Sequence, residues 1–397
     1  MKQVLVLNSG SSSIKYQLLD MTSHAVLVSG TLEGIGEEKS KLTHKITGAQ
    51  TVTTEQVVPD IAAGFDLVTS TFERNGGMPT ELVAVGHRVA QGGDKFTGAT
   101  LMDDDAIAEV ESMASLAPLH TPSNAAGIRL ARKIYPDVPQ VAVFDTAFHS
   151  TMPARAYRYA LPTEISERLH IRRYGFHGTS HGYVFHQAAE YLGGDPSALK
   201  MVTLHLGNGA SLAAVDGGRS IDTSMGMTPL EGLVMGTRSG DLDPAVVLYL
   251  QRVGGLSVDE VDELLNRKSG LKGLTGSNDS REVCAMAEAG DQAAIDAMEI
   301  FSYRICKYVG AYAVALGRLD ALVFTAGIGE NSVEFRAQIC AGLGIFGVKL
   351  DPERNAVRSG EVRTISAPDS AVPVIVAPTN EELEIAQQAL AVATAGH

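Results

Sequence analysis

Val4-Leu-Val-Leu-Asn-Ser-Gly-Ser-Ser-Ser-Ile-Lys-Tyr16 is the stretch from which the rest of the chain can be read. A short apolar run meets six small polar residues, and then Ile14 and Leu18 restart an apolar pattern. That spacing predicts strand, tight polar turn, strand. The turn offers backbone N–H groups and hydroxyls from Asn8, Gly10 and Ser11 to Ser13 with little bulk around them, and Lys15 adds a cation just beyond. Donors without bulk beside one positive charge suit a polyphosphate. An ordinary serine-rich hairpin fits the same residues equally well. A second copy tips the balance. Met201-Val-Thr-Leu-His-Leu-Gly-Asn-Gly-Ala-Ser-Leu-Ala-Ala-Val215 repeats strand, Gly/Asn/Ser turn, strand half a chain later. Two phosphate-type hairpins point to a duplicated α/β fold closing on one nucleotide.

The bulk properties fit a soluble enzyme. At 397 residues the chain is long enough for two domains, each with its own core. A formal charge of −14 argues against nucleic acid or an anionic membrane surface as partner, so an anionic substrate needs local cations. Cys284, Cys306 and Cys340 are widely spaced without a C-x-x-C, which indicates buried thiols in a reducing, cytoplasmic setting. The apolar run before the first turn is too short for a secretory signal. Ile300 to Leu319 is interrupted by Arg304, Lys307 and Arg318, and reads as a buried or interface helix rather than a membrane span.

Further along, residues 23 to 60 read as short strands and a polar connection. Leu82 to Ala90 is a strand running into Gly92-Gly93, Thr121-Pro-Ser opens a helix, and Gln140 to Phe144 is a buried strand ending in Asp145. Ligands of open α/β sheets gather at the carboxyl ends of strands, so Asp145 is a candidate for chemistry, with a cap as the alternative. In the second half, Thr179 or Ser180 is expected to cap a helix ending at Gly193-Gly194. Asp243-Pro244 opens another helix, and Ser257 to Glu260 forms a capping box. A long helix over about Gln292 to Leu316 leads to the strand Ala321 to Thr325 and a glycine-rich turn to Asn331. A late strand, Pro373 to Val376, runs into Thr379-Asn-Glu-Glu382, a second capping box for the last helix.

Several motifs drop out. No Gly-Lys dipeptide occurs, which excludes a Walker A loop. Gly178-Thr-Ser-His-Gly182 matches G-x-S-x-G but lacks the apolar strand that a nucleophile elbow needs. His177 and His181 stand four apart, yet the intervening glycine and missing third ligand argue against zinc.

What remains resembles the acetate kinase family, of the acetate and sugar kinase, heat-shock cognate and actin superfamily. The resemblance rests on Asn8-Ser-Gly-Ser-Ser-Ser-Ile-Lys15, Gly86-His-Arg-Val89 with Gly92-Gly93, Phe144-Asp-Thr-Ala-Phe-His149 and Tyr174-Gly-Phe-His-Gly-Thr-Ser-His181. It continues through His205-Leu-Gly-Asn-Gly209, Met227 to Asp241, Phe324-Thr-Ala-Gly-Ile-Gly-Glu-Asn331 and Thr379-Asn-Glu-Glu382. It implies two duplicated ribonuclease-H-like (actin-like ATPase) domains with a nucleotide cleft between them. These are residues 1–149 plus 383–397, and residues 150–382 with the nucleotide and dimer contacts. It also implies a cytoplasmic homodimer that makes acetyl phosphate and ADP reversibly from acetate and ATP, by direct in-line phosphoryl transfer with Mg²⁺ or Mn²⁺. The same chemistry on propionate is the alternative. A nucleotide clamp of the same fold without transferase activity is a further class, disfavoured because the reactive residues are all present.

The resemblance also implies site residues. Arg88 and Arg238 would hold the carboxylate and the transferring group, since a guanidinium fork matches planar oxyanions. His177 would donate to the transition-state oxygens. Asp145 matches the family's essential acid; a carboxylate acceptor is already ionised, so an orienting or metal-water role suits it better than that of a base. Asn8 and Glu381 match the metal positions, and hard oxygen ligands suit Mg²⁺. Lys15, His205, Leu206, Gly207, Asn208, Gly209, Asp279, Ser280, Arg281, Gly327, Ile328, Gly329, Glu330 and Asn331 match the ATP-binding segments. Ala90, Leu119, His120, Phe176 and Pro229 match the acyl site. The family usually shows Asn-Pro-Ala where this chain has Thr121-Pro122-Ser123, and histidine is common where Gln91 stands, which bears on the fine shape of that site.

Overall fold

The computed structural model describes residues 2–118 and 120–395. The chain divides into two compact units: one runs to Phe148 and resumes at Asn380, and the other spans His149–Thr379. The breaks therefore fall one and three residues before the expected ones. Asn380 caps the last helix through its side chain, which accepts from Leu383 N at 3.1 Å. Cap and first turn move with their helix, so Glu381 belongs to the first unit.

The first unit carries an eight-stranded sheet of β1 (Gln3–Ser9), β2 (Ser13–Asp20), β3 (Ala25–Glu33), β4 (Ser40–Ile46), β5 (Val52–Gln56), β6 (Leu82–Val89), β7 (Thr100–Leu101) and β8 (Gln140–Phe144). Its order is β5-β4-β3-β2-β1-β6-β8-β7. The second unit carries β9 (Lys200–Leu206), β10 (Ala210–Asp216), β11 (Arg219–Thr223), β12 (Ala321–Thr325), β13 (Arg363–Thr364) and β14 (Val374–Val376) in the order β11-β10-β9-β12-β14-β13. Both sheets are mixed and share one plan, that of the ribonuclease-H-like fold. An antiparallel meander (β3-β2-β1 or β11-β10-β9) is followed by two parallel strands (β6 and β8, or β12 and β14) and a short antiparallel edge strand. The first unit adds β4 and β5 at its outer edge. Every residue of β8 and β12 is buried, as parallel strands covered on both faces require.

Helices flank each sheet. Glu381–Ala395 packs on β6, β1 and β8. It comes so close that a Cβ on Gly86 would lie 2.9 Å from Ile385 Cγ2. The expected caps hold at Asp243 and at Ser257 with Glu260, and Gln292–Leu316 is one continuous helix. Two caps differ. The helix Gly178–Leu192 begins after His177, and the Ser180 hydroxyl is engaged with His205 and Thr379 instead of a helix N–H. At the last helix Asn380 takes the role expected of Thr379, whose hydroxyl accepts from Ser180. The three cysteines are free, with Cys284 and Cys340 buried, and burial pushes the Cys340 thiol up to about 12. Among the described residues no helix is long and apolar enough to cross a membrane.

Candidate active site

In the first unit the β1–β2 register sets Asn8 opposite Lys15. Arg88, near the end of β6, and Asp145, directly after β8, stand at the carboxyl ends of adjacent parallel strands. They form a fork: Arg88 Nε donates to Asp145 Oδ1 at 3.0 Å and Nη2 to Oδ2 at 2.7 Å. Asp145 is buried, whereas about a third of the Arg88 side chain, 31%, is exposed. Asp145 first and Glu381 second raise the Arg88 pKa, and among the described residues its Nη1 makes no hydrogen bond. Glu381 lies 4.0 Å from Arg88 Nε. Desolvation pushes the Glu381 carboxyl up to about 7; Arg88 opposes this, while Asp145 and Glu382 add to it.

Asn8, Lys15, Arg88, Glu381 and Glu382 line one cavity of about 540 Å³. Its amide and carboxylate oxygens are the hard donors that Mg²⁺ takes. Among the described residues no cluster of three or more His, Cys, Asp or Glu could hold a metal. The donor set thus fits an ion bound by one or two side chains, with water and phosphate completing its shell.

Ala90 is half-buried, and its N–H donates to Asn124 Oδ1 at 3.1 Å. The Asn124 amide in turn donates to the Ser9 carbonyl at 2.7 Å, tying this segment to the end of β1. Gln91 is buried, with its Oε1 accepting from Gly93 N at 3.0 Å. His120 is exposed just before the helix Thr121–Ile134, and Leu119 lies outside the described residues.

In the second unit His177 adopts a left-handed conformation (φ 57°) at the start of Gly178–Leu192. Ala326, where β12 turns into the short helix Ala326–Asn331, does the same (φ 64°). Such strain in non-glycine residues gathers at functional sites. The His177 ring stacks on His205 with centroids 4.1 Å apart. A Cβ on Gly209 would lie 3.4 Å from Arg238 Nη1 and 3.5 Å from His177 Nε2, so both meet at the turn of the second hairpin. Arg238 has no acidic partner among the described residues; its nearest acceptor is the Pro229 carbonyl at 3.4 Å. Desolvation lowers its pKa. An uncompensated guanidinium beside an imidazole is a site for an anion. Phe176 is buried, and its carbonyl is 3.0 Å from His149 Nε2.

A cavity of about 760 Å³ in the same unit is lined by Gly207, Asn208, Asp279, Ser280, Arg281, Gly327, Ile328 and Asn331, all expected there. Others of the expected set lie elsewhere. Lys15 belongs to the first unit's cavity, and Leu206 is buried in the core. His205 turns its Nδ1 to Ser180 at 2.8 Å. Gly209 faces Arg238 and His177, and Gly329 packs against the Phe324 backbone. The Glu330 carboxylate accepts from Ala326 N at 2.8 Å and Thr379 N at 3.1 Å, which ties the start of the short helix to the segment after β14.

Sequence reasoning missed Asn278, Cys284, Ala285, Glu288 and Arg358, which also line this cavity. Arg281, Cys284, Ala285 and Glu288 share one face of the helix Ser280–Glu288, a pattern visible in its periodicity. It also missed Arg336, a fully buried guanidinium that donates to the carbonyls of Gly329 at 3.0 Å and Glu330 at 2.8 Å.

The chain is similar to known proteins along almost its whole length. The acetokinase family pattern matches residues 3–387. An acetate kinase of Leifsonia xyli subsp. xyli is 54% identical over 398 residues, covering 100% of both chains. The crystal structure of Porphyromonas gingivalis acetate kinase matches with a TM-score of 0.94 at 44% identity, over 99% of this chain and 100% of that one. A propionate kinase from Francisella tularensis matches with a TM-score of 0.92 at 42% identity, over 98% and 99% of the two chains. The chain therefore belongs to the acetokinase family.

Proposed function

We propose that the chain is an acetate kinase, which transfers the γ-phosphoryl group of ATP reversibly to acetate, giving acetyl phosphate and ADP. The observation that carries this reading is Arg238, held without an acidic partner among the described residues, beside His177 Nε2 over the glycine of a phosphate-type turn. Phosphoryl transfer to a carboxylate needs positioning and charge neutralisation rather than a base. Arg238 neutralises the transferring group, and His177 donates to its equatorial oxygens. Asp145 orients Arg88 through the fork, leaving Nη1 to take the acetate carboxylate. The residues around Gly207, Arg281 and Gly327 hold the nucleotide. Asn8 and Glu381 hold Mg²⁺, with Mn²⁺ as the alternative; when bound, the ion neutralises phosphate charge.

Ala90 favours a second reading of the same chemistry, with propionate as acceptor, because its short side chain leaves room for a longer acyl chain. A homodimer built on the second unit is supported by the helix Pro244–Arg252, which buries none of its residues. It leaves Tyr249 64% exposed, with Val253 66% exposed just beyond it. The test of the function is trapping with hydroxylamine. Purified protein with Mg²⁺-ATP and acetate should form acetohydroxamate in step with ADP. ADP release without hydroxamate would exclude transfer to a carboxylate.

A further inference from the structure

Behind His177 lie three residues that phosphoryl transfer itself does not use. Ser211 Oγ, on β10, is 2.9 Å from His177 Nδ1 and 2.8 Å from His181 Nε2. His181 Nδ1 is 2.7 Å from Thr203 Oγ1, on β9. His177 and His181 are one helical turn apart, so both rings reach the same hydroxyl. Thr203, His181 and Ser211 are each 0% exposed, so their protons must be satisfied within the protein.

That requirement gives the chain of bonds a direction. A hydroxyl has one proton to donate. Among the described residues the Thr203 hydroxyl has His181 Nδ1 as its only acceptor, so its proton points there. Burial keeps His181 neutral, so its single proton sits on Nε2 and goes to Ser211. The Ser211 proton then goes to His177 Nδ1, and His177 carries its own proton on Nε2. The reverse order strands the Thr203 proton in a dry core, at a cost typical of an unsatisfied buried donor. His177 Nε2 is the atom that faces Gly209 near Arg238.

We propose that Thr203, His181 and Ser211 form a directed hydrogen-bond relay that sets the tautomer of His177, fixing Nε2–H as a donor to the phosphoryl oxygens. The relay rests on the reading of His177 as that donor. Its members are positioning residues: they touch no substrate, and they fix in advance which nitrogen can donate, so the reaction need not wait for a tautomer change.

The test uses the full chain labelled with ¹⁵N-histidine, with the His177 signals assigned by their loss in His177→Gln. In the wild type His177 Nδ1 should resonate as an unprotonated nitrogen. Thr203→Val keeps the shape but removes the first proton, and should move that signal toward the protonated position. Its kcat should fall about tenfold, less than the 10²–10³ lost with a whole transition-state donor. KM for ATP and acetate should stay within about twofold, which separates a transition-state effect from a damaged binding site. Thr203→Ser should behave as the wild type. Ser211→Ala, cutting the last link, should also mix the His177 tautomers, and it serves if Thr203→Val does not fold. A wild-type His177 protonated on Nδ1 overturns the relay, as does a Thr203→Val variant with unchanged signal and kcat. If the tautomer is as expected but His177→Gln keeps its kcat, the relay exists and the role of His177 as phosphoryl donor falls.

Discussion

Arg238→Met removes a cation that has no acidic partner among the described residues, so activity and stability should move in opposite directions. Among the described residues the side chain makes only long hydrogen bonds, 3.4 Å to the Pro229 carbonyl and 3.8 Å to Met235 Sδ, and burial disfavours its charged form. Methionine keeps the apolar length without the charge. Losing the guanidinium should lower kcat by roughly 10³ or more, on the scale of arginine-finger losses. That corresponds to about 4 kcal/mol at 1.36 kcal/mol per tenfold. KM for ATP should change little, because the cavity proposed for the nucleotide is lined by other residues. Relief of desolvation should stabilise the folded chain by about 0.5–2 kcal/mol, the scale of single stabilising substitutions. Sulfate should add a third signature. An anion bound only by the folded state stabilises it by about 1.4 kcal/mol at ten times its Kd, and most of that should vanish in the variant. A coupled ADP assay gives kcat and KM, and urea midpoints with and without sulfate give the stabilities. A variant retaining a tenth of the wild-type kcat would refute the transition-state role. A variant that loses activity and is also less stable than wild type would mark Arg238 as a structural residue.

Three shorter predictions test other parts of the molecule. Propionate should be used with kcat/KM within about tenfold of acetate, since one methylene is worth about 1–3 kcal/mol in an apolar pocket. Ala90→Val should shift the ratio toward acetate, and an unchanged ratio would show that position 90 does not gate chain length. Glu381→Gln should raise the Mg²⁺ concentration for half-maximal rate by at least about tenfold, as changes around metal sites do; an identical Mg²⁺ titration would remove Glu381 from the metal site. Burial, only partly offset by hydrogen bonds to Gln140 and to the Phe176 carbonyl, holds His87 and His149 down at about 4. As pH falls the unfolded chain therefore binds these protons first. The stability from the neutral rings is whole above about pH 6.5 and drains toward pH 4, at about 1.4 kcal/mol per unit and group. Urea midpoints should therefore be lower at pH 5.5 than at 7.5, and His87→Gln should narrow the difference. Equal wild-type midpoints would contradict the buried neutral state.

Much of this protein is legible in its residues because much of it is local. Val4 to Tyr16 and Met201 to Val215 each contain their own strands and turn, and the structure pairs them as hairpins. Asp243-Pro244 and Ser257 to Glu260 act within a single helical turn, so their caps follow from spacing alone. Arg88, Asp145, His177 and Arg238 are conspicuous in sequence, being reactive side chains within motifs whose order along the chain is preserved.

Other features depended on which neighbour is nearest once the sheets have formed, and spacing does not encode that. Glu330 sits in a glycine-rich segment that reads as ligand-binding, yet its carboxylate accepts from Ala326 N, just after β12, and from the half-buried Thr379 N. Thr379 lost the last helix's cap to Asn380, since its hydroxyl already served Ser180. Arg358 reaches the 760 Å³ cavity of the second unit from a stretch without any motif, and Arg336 holds Gly329 and Glu330 from a helix that looks ordinary. Thr203, His181 and Ser211 come from two strands and a helix, and only their packing makes three unremarkable polar residues one directed chain. Short-range propensity decides where an element begins and ends; burial decides which polar atoms must find each other, and those partners lie tens to hundreds of residues away.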